Sequence, residues 1–211
     1  MLRQFISVLV LNLVISCGHS QDSGIRIHEG STKPGKQESV ATFGEGCFWH
    51  AEIIFQSLEG VRDAVSGYAG GHDTAPDYEK VSSGETGHAE TVQVYYDPAK
   101  ISFRELVAAF FASHDPTTLN RQGNDIGSEY RSIVFYRNAA EKKVIEEERS
   151  RVQKTLKRTI VTEVSVFSAF YPAEPYHQEY ILNHPGNRYV LNISIPEYEA
   201  FRTHYKGTFK P

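Results

Sequence analysis

The chain has 211 residues, a formal net charge of −4, and 40% hydrophobic and 23% charged residues. This length suffices for one domain with a real hydrophobic core, and the composition is ordinary for a folded globular protein. The charge is only mildly acidic and no lysine- or arginine-rich cluster occurs, so the sequence excludes a typical nucleic-acid-binding protein.

Residues 1–16 predict a signal peptide. Arg3 precedes an apolar run from Phe5 to Ser16, which is shorter than the roughly 20 residues that a membrane-spanning helix needs but fits the apolar region of a signal peptide. The run ends in Val-Ile-Ser-Cys, which is similar to a bacterial lipobox. We therefore predict cleavage before Cys17 and lipid attachment to it; the alternative is an ordinary secretory signal followed by an incidental cysteine.

The polar segment 17–38 predicts a flexible tether, because it is rich in Gly, Ser and Lys and cannot bury enough apolar surface to offset the entropy of ordering. The folded domain is then expected over 39–211, anchored by lipid at a bacterial cell envelope and facing the periplasm or the exterior. The chain has two cysteines, so lipidation of Cys17 leaves Cys47 as the only free thiol.

The domain begins with a predicted strand over 39–46 that runs into a glycine turn. Apolar residues at Phe48, Ala51 and Phe55 then follow with helical spacing. Cys47 therefore lies at the start of a helix, where the macrodipole and free backbone N–H groups favour a thiolate. From this position alone we predict a lowered pKa for Cys47.

Further strands and helices follow without strict alternation. Ser102 and Glu105 predict a capping box for one of the helices, and a polar loop over 115–130 is long enough to indicate function. The mixed order favours an α+β fold, a two-layer sandwich in which helices cover a mixed sheet, with a ferredoxin-like core. The predicted strands lie within 61–71, 87–98, 131–136 and 160–167; the later helices lie within 102–114, 138–156 and 173–185, with a last one from about Glu197.

The residues around Cys47 form a possible reaction site. Gly44 and Gly46 allow close approach of a ligand to the backbone, and Phe48 and Trp49 can line an apolar slot beside the sulfur. The structural alternative is that these residues simply begin a buried helix.

Five motifs, in order between about residues 41 and 182, resemble those of the A-type peptide methionine sulfoxide reductases. They are GCFWHAE, GYAGG, DYEKVSSGETGHAE, HDPTTLNRQGNDIGSEYRS and AEPYHQEY. The resemblance implies an enzyme that reduces free and peptide-bound methionine-S-sulfoxide, as repair of oxidative damage.

The resemblance also implies the roles of individual residues. Cys47 matches the nucleophile that attacks the sulfoxide sulfur. Glu90 matches the acid that protonates the sulfoxide oxygen, a role that requires a raised pKa. Tyr78 and Tyr130 match tyrosines that donate hydrogen bonds to that oxygen as its charge develops.

Four more residues match the substrate site of the family. Phe48 and Trp49 correspond to the walls of a methyl pocket, and Asp125 and His177 to residues that hold the substrate main chain or nearby water. Taken singly, an aspartate after Gly-Asn is usually a turn residue, so only the ordered motifs give these residues a function. No cofactor is expected, and no HExxH motif or second available cysteine indicates a metal site.

The sequence departs from the family pattern in its tail. Many members carry resolving cysteines there, whereas residues 188–211 contain none. Oxidised Cys47 would then be a sulfenic acid without an internal partner. The expected reductant is an external thiol, either a thioredoxin-like protein or a small dithiol.

Two other functions are compatible with parts of the sequence. Cys47 and His88 are candidates for the nucleophile and base of an acyl-transfer enzyme. A non-catalytic lipoprotein that binds oxidised methionine against Phe48 and Trp49 is the third hypothesis.

Overall fold

The computed structural model describes residues 33–211. The predicted signal peptide over 1–16, Cys17 and most of the predicted tether over 17–38 lie outside the described residues. The first strand begins at Ser39.

One six-stranded sheet forms the centre of the structure. Its strands are β1 (Ser39–Glu45), β2 (Val61–Ala69), β3 (Ala89–Tyr96), β6 (Ser132–Tyr136), β7 (Glu163–Val166) and β8 (Phe170–Pro172), and a separate hairpin of β4 (Arg121–Gln122) and β5 (Asp125–Ile126) lies in the predicted polar loop. The strand order is β7-β6-β1-β3-β2-β8. Only β6 and β7 pair in parallel; the other neighbours are antiparallel. The α+β class and the mixed sheet are confirmed, while the ferredoxin-like core stays a prediction.

Three of the six described α-helices begin at a residue whose side chain caps the first turn. They are α1 (Phe48–Gln56), α2 (Tyr78–Ser82), α3 (Phe103–Ser113), α4 (Ala139–Gln153), α5 (Tyr180–Asn183) and α6 (Ile195–His204). The capping box of Ser102 and Glu105 is present as predicted, because each side chain bonds a backbone N–H that the helix leaves free. The short helix α2 was not predicted; the Asp77 carboxylate caps it by accepting from the Lys80 N–H.

The helix predicted within 173–185 is wrong as a continuous element. A 3₁₀ turn at Pro175–His177 is followed by Glu179 with φ 50°, and only then by α5. The Gln178 side chain explains the break, since it bonds both the N–H and the carbonyl of Ser66 on β2 at 3.0 Å. These bonds hold the backbone against β2, and the chain turns away from that strand at Glu179.

Helices α1 and α3 pack against the sheet and against each other. Phe43 of β1 lies at the centre of this core, stacked on Phe55 of α1 at 4.8 Å and on Phe110 of α3 at 5.4 Å between ring centroids. Aromatic burial of this kind is among the larger contributions to core stability. The packing fixes β1 and α1 relative to each other, and Cys47 lies between these two elements.

The tail packs on the same helices. A π-helical turn over Val190–Ser194 leads directly into α6, which contacts α1 and α3. The predicted last helix is therefore present, and Phe201 buries its ring within the core. Among the described helices, none combines the length and apolar character that crossing a bilayer requires.

Candidate active site

Cys47 is the residue that precedes α1. Its carbonyl accepts hydrogen bonds from the N–H groups of His50 at 3.1 Å and Ala51 at 3.3 Å, which form the first turn. The sequence predicted this position correctly. The side chain is half-buried, so the sulfur lies between the protein interior and solvent.

The two glycines before Cys47 are required by close packing. A Cβ on Gly44 would lie 2.8 Å from the carbonyl oxygen of Glu90, and one on Gly46, which has φ 106°, would lie 2.7 Å from the Cβ of Gln122. Both distances are shorter than side-chain contacts allow. The glycines thus let β3 and the β4–β5 hairpin approach the Cys47 backbone from two directions.

Glu90 is a buried acid on β3 that contacts the first residue of α1. Its side chain is almost completely buried on β3, and its Oε2 accepts a hydrogen bond of 3.0 Å from the N–H of Phe48. Burial raises the pKa of Glu90 to about 8, the Phe48 bond opposes this, and the charges of Asp125 and Glu129 add to the increase. Glu90 therefore carries a proton at neutral pH. Its carboxyl group is bonded to Phe48, the residue that follows Cys47.

The predicted lowering of the Cys47 pKa is wrong. Burial and the nearby Glu90 charge raise the pKa of Cys47 above its ordinary value, and the N–H groups of Trp49 and His50 oppose this less strongly. The helix start does act on the sulfur in the predicted direction, but desolvation of the thiolate outweighs it. The resting side chain is a thiol, so its proton has to leave before the sulfur can attack.

Tyr78 and Tyr130 are half-buried hydroxyl donors beside Glu90. Burial raises the pKa of both phenols, and the charge of Glu90 is the second cause of the increase. Both hydroxyl groups therefore remain protonated. Glu174 holds Tyr78 in place, accepting from its backbone N–H at 2.9 Å while its other oxygen accepts from the Tyr68 hydroxyl at 2.9 Å. The tyrosines supply two fixed hydroxyl groups near the acid.

Aromatic rings adjoin Cys47 on the α1 side. The Phe48 side chain is buried, and Trp49 stacks on Tyr180 with 3.7 Å between ring centroids. The Trp49 Nε1–H donates to Nδ1 of His177 at 3.1 Å. Burial lowers the pKa of His177 to about 4, so the neutral ring keeps its proton on Nε2, which has no hydrogen-bond partner among the described residues.

Asp125 reaches the site from the β4–β5 hairpin. Its carboxylate accepts a 2.6 Å hydrogen bond from the hydroxyl of Tyr189, which belongs to the tail. Asp125 and Tyr189 line a small cavity that also opens at Cys47. The tail is therefore part of the site, which the sequence did not indicate because the tail follows the last recognised motif.

His88 does not serve Cys47 as a base. Its Nδ1 accepts from the Gly71 N–H at 3.0 Å, and its Nε2 lies 2.8 Å from the carbonyl oxygen of Asp73. Both ring nitrogens are thus engaged by backbone, and the acyl-transfer hypothesis lacks its base. Within residues 33–211, no group of three or more His, Cys, Asp or Glu side chains is arranged to hold a metal ion.

The structure brings the predicted residues of the site together through direct contacts or charge interactions. These residues are Cys47, Phe48, Trp49, Tyr78, Glu90, Asp125, Tyr130 and His177. Sequence reasoning missed the residues that hold them in place, namely Tyr68, Glu174, Tyr180 and Tyr189. Glu174 and Tyr180 fall within the recognised AEPYHQEY stretch and Tyr68 within GYAGG, so membership of a motif was the signal available for these three.

Comparison with known proteins gives one consistent result. The family model described as peptide methionine sulfoxide reductase matches residues 39–208. The peptide methionine sulfoxide reductase MsrA of Saccharolobus solfataricus is 45% identical, over 77% of this chain and 92% of that protein.

Two solved structures of Mxr1 from Saccharomyces cerevisiae are also similar. The reduced form is 35% identical with a TM-score of 0.70, covering 74% of this chain and 91% of Mxr1. A second structure, of Mxr1 in complex with Trx2, is 28% identical with a TM-score of 0.52, covering 71% of this chain and 90% of Mxr1.

Proposed function

The chain belongs to the A-type peptide methionine sulfoxide reductase family, and on that premise we propose that Cys47 attacks the sulfoxide sulfur while Glu90 protonates the sulfoxide oxygen. The protein is a peptide-methionine (S)-S-oxide reductase, an oxidoreductase. The substrates are free methionine sulfoxide and oxidised methionine in proteins.

One observation carries the mechanism: a buried carboxyl group with a pKa of about 8 is bonded to the first N–H of the helix that Cys47 begins. A protonated acid next to the nucleophile is what the leaving oxygen needs. In the first half of the cycle the Cys47 thiol gives its proton to solvent and its sulfur bonds to the sulfoxide sulfur, while Glu90 protonates the oxygen. The resulting OH group then moves to the Cys47 sulfur as the substrate S–O bond and the bond between the two sulfurs break, which leaves methionine, the Cys47 sulfenic acid and ionised Glu90.

The hydroxyl groups and aromatic rings around Cys47 bind the sulfoxide. Tyr78 and Tyr130 keep their protons near the site, and they donate to the sulfoxide oxygen as its negative charge grows. Phe48 and Trp49 hold the methyl group by apolar contact. The unpartnered Nε2–H of His177 and the carboxylate of Asp125 hold the polar main chain or the water around it.

The second half of the cycle requires a thiol from outside the domain. Cys47 is the free cysteine of the described chain, and no cysteine follows it in the sequence. An external thiolate attacks the sulfenic sulfur, water leaves and a mixed disulfide remains, which a second thiol then reduces. A thioredoxin-like protein is the proposed donor, which the structure of the similar Mxr1 with Trx2 supports; no cofactor is needed.

The enzyme should reduce the S epimer of methionine sulfoxide and leave the R epimer. The methyl group, the oxygen and the main chain each have a separate binding partner, and three fixed contacts distinguish the two hands at sulfur. Resolved epimers, supplied separately with dithiothreitol, are assayed for methionine. Equal rates on both would contradict the proposed pocket, and no methionine from either would contradict the proposed function. A lipoprotein that only binds oxidised methionine would give this second result.

We further propose that the mature protein begins at lipid-modified Cys17 and is held at the cell envelope. The basis is the lipobox-like Val-Ile-Ser-Cys at the end of the apolar run. The expected result is that the full-length protein fractionates with membranes, whereas Cys17→Ser gives a soluble protein of unchanged activity. Mass spectrometry of the mature N-terminus provides the check. An unmodified N-terminus beyond residue 17 would favour plain secretion instead.

A further inference from the structure

A small polar cavity opens at Cys47, bordered by the tail and the β4–β5 hairpin. Its volume of about 50 Å³ is enough for one water molecule, whose share of the liquid is roughly 30 Å³. The lining side chains are predominantly polar, and Cys47, His50, Gln122, Asp125, Tyr189 and Glu197 are among them. Glu90 does not line it.

The tail is fixed over this cavity by two polar contacts. The Glu197 carboxylate lies 3.2 Å from Nδ1 of His50, and the Tyr189 hydroxyl bonds Asp125. Glu197 has a side-chain exposure of 39%, against 7% for His50. Glu197 therefore has contact with solvent and also lines the same cavity as Cys47.

Two buried polar atoms on the cavity-lining residues have no protein partner. These are Oε1 of Gln122 and Nε2 of His50, both without a hydrogen bond to any of the described residues. Buried polar groups are nearly always satisfied, so each such exception requires an explanation.

The second half of the cycle produces a water molecule and consumes a proton. An external thiolate forms a bond to the Cys47 sulfur, and the sulfenic S–O bond breaks. The departing hydroxide needs a proton to leave as water. Glu90 has already given its proton to the oxygen in the first half, and its burial slows replacement of that proton from solvent.

We propose that Glu197 supplies this proton: it donates to the sulfenic hydroxyl of Cys47 in the cavity, and His50 positions its carboxyl group. The proposal rests on the sulfenic acid of the proposed function. The balanced step is Cys47–S–OH plus external thiolate plus protonated Glu197, giving the mixed disulfide, water and ionised Glu197. Solvent then returns the proton, which the partial exposure of Glu197 permits.

Electrostatics support the assignment. Burial and the charge of Asp125 raise the pKa of Glu197, which favours the protonated acid. Burial and the neighbouring His114 lower the pKa of His50 to about 4, so His50 is neutral and does not hold Glu197 in its ionised form. A neutral imidazole can hold the carboxyl group in place without adding a positive charge that would oppose its protonation, which fits a positioning role.

The test separates the two halves of the cycle. Wild-type protein and Glu197→Gln receive one equivalent of S-sulfoxide without reductant, and methionine is measured. Each oxidised protein is then mixed with dithiothreitol, and the loss of sulfenic acid is followed by trapping with a dimedone reagent. Glutamine keeps the size and hydrogen bonding of the side chain, and Glu199→Gln, an exposed glutamate on the same helix, is the matched control.

We expect Glu197→Gln to slow reduction of the sulfenic acid by about 10²-fold, the lower end of general acid catalysis, with the first methionine formed as in the wild type. Glu199→Gln should be reduced at the wild-type rate. Reduction of Glu197→Gln at the wild-type rate would overturn the proposal. An equal slowing of both halves would also overturn it, since that indicates a general structural role. If wild-type protein forms no methionine, the proposed function itself fails. Because methionine formation is measured separately from reduction of the sulfenic acid, that failure is distinguished from failure of the proposal for Glu197.

Discussion

Replacing Glu90 with glutamine is expected to slow methionine formation from S-sulfoxide by about 10²–10⁴-fold, the usual scale of general acid catalysis. Glutamine can still accept the hydrogen bond from the Phe48 N–H, so the helix start is preserved while the proton is lost. The rate of methionine formation is measured in a single turnover, where reductant plays no part.

The pH dependence gives a second and independent signature. Because the pKa of Glu90 is raised to about 8, its acid form is present below that pH, and wild-type activity should fall as pH rises through about 8. Glu90→Gln should lose this fall. Its deficit should be largest near neutral pH and smaller in acid, where solvent protonates the sulfoxide directly. Near-normal activity across this range would remove Glu90 from the mechanism.

Glu45→Gln is the matched control. Glu45 is also buried, and burial raises its pKa to about 8 as well, but its carboxylate accepts from the Ser113 hydroxyl at 2.6 Å. This variant should stay within about threefold of wild-type activity, since general acid catalysis contributes 10²-fold or more only from a group that reaches the reacting oxygen.

Thermal unfolding checks that Glu90→Gln is folded. A raised carboxyl pKa means that ionisation is less favourable in the folded state. Glu90 therefore costs the fold stability progressively as pH rises from its unfolded pKa to about 8. Removing the charge should leave the melting temperature at pH 9 equal to or above that of wild type. A lower value would indicate that unfolding contributes to the lost activity.

Cys47→Ser should abolish sulfoxide reduction. Enzymes accelerate their reactions by roughly 10⁶-fold or more, and a serine hydroxyl cannot accept the oxygen of the sulfoxide. Without reductant, wild-type protein should release one methionine per molecule and form a sulfenic acid at Cys47, whereas Cys47→Ser should release none. Product analysis and mass spectrometry of the trapped protein measure both.

The control for this variant is Cys17→Ser, which should behave as wild type. A disulfide between Cys17 and Cys47 after one turnover, or loss of multiple turnover with thioredoxin in Cys17→Ser, would show that the cycle uses a second cysteine. Residual methionine formation by Cys47→Ser would contradict the assigned nucleophile.

Local signals predicted the features of the fold that depend on neighbouring residues. The capping box of Ser102 and Glu105 is present, and Cys47 precedes α1 as expected. The break at Glu179 could not be predicted, because it depends on the bonds between Gln178 and Ser66, which are far apart in sequence.

The same distinction holds at the site. Ordered motifs indicated Glu90 and Asp125, yet the direction of the Cys47 pKa shift was wrong. A helix start is visible in the sequence, whereas the burial that opposes it is a property of the assembled fold. Glu197 and Tyr189 were missed for a related reason, since only the packing of the tail brings them to the cavity at Cys47.

The stacking of Trp49 on Tyr180 has a practical consequence. The chain contains a single tryptophan, and it lies in face-to-face contact with one ring and donates a hydrogen bond to another. Indole fluorescence of the unlabelled protein therefore originates entirely from Trp49, which lies two positions after the nucleophile Cys47. Emission intensity and wavelength should respond to whatever enters the slot, which makes each step of the cycle observable by stopped-flow optics without an attached dye.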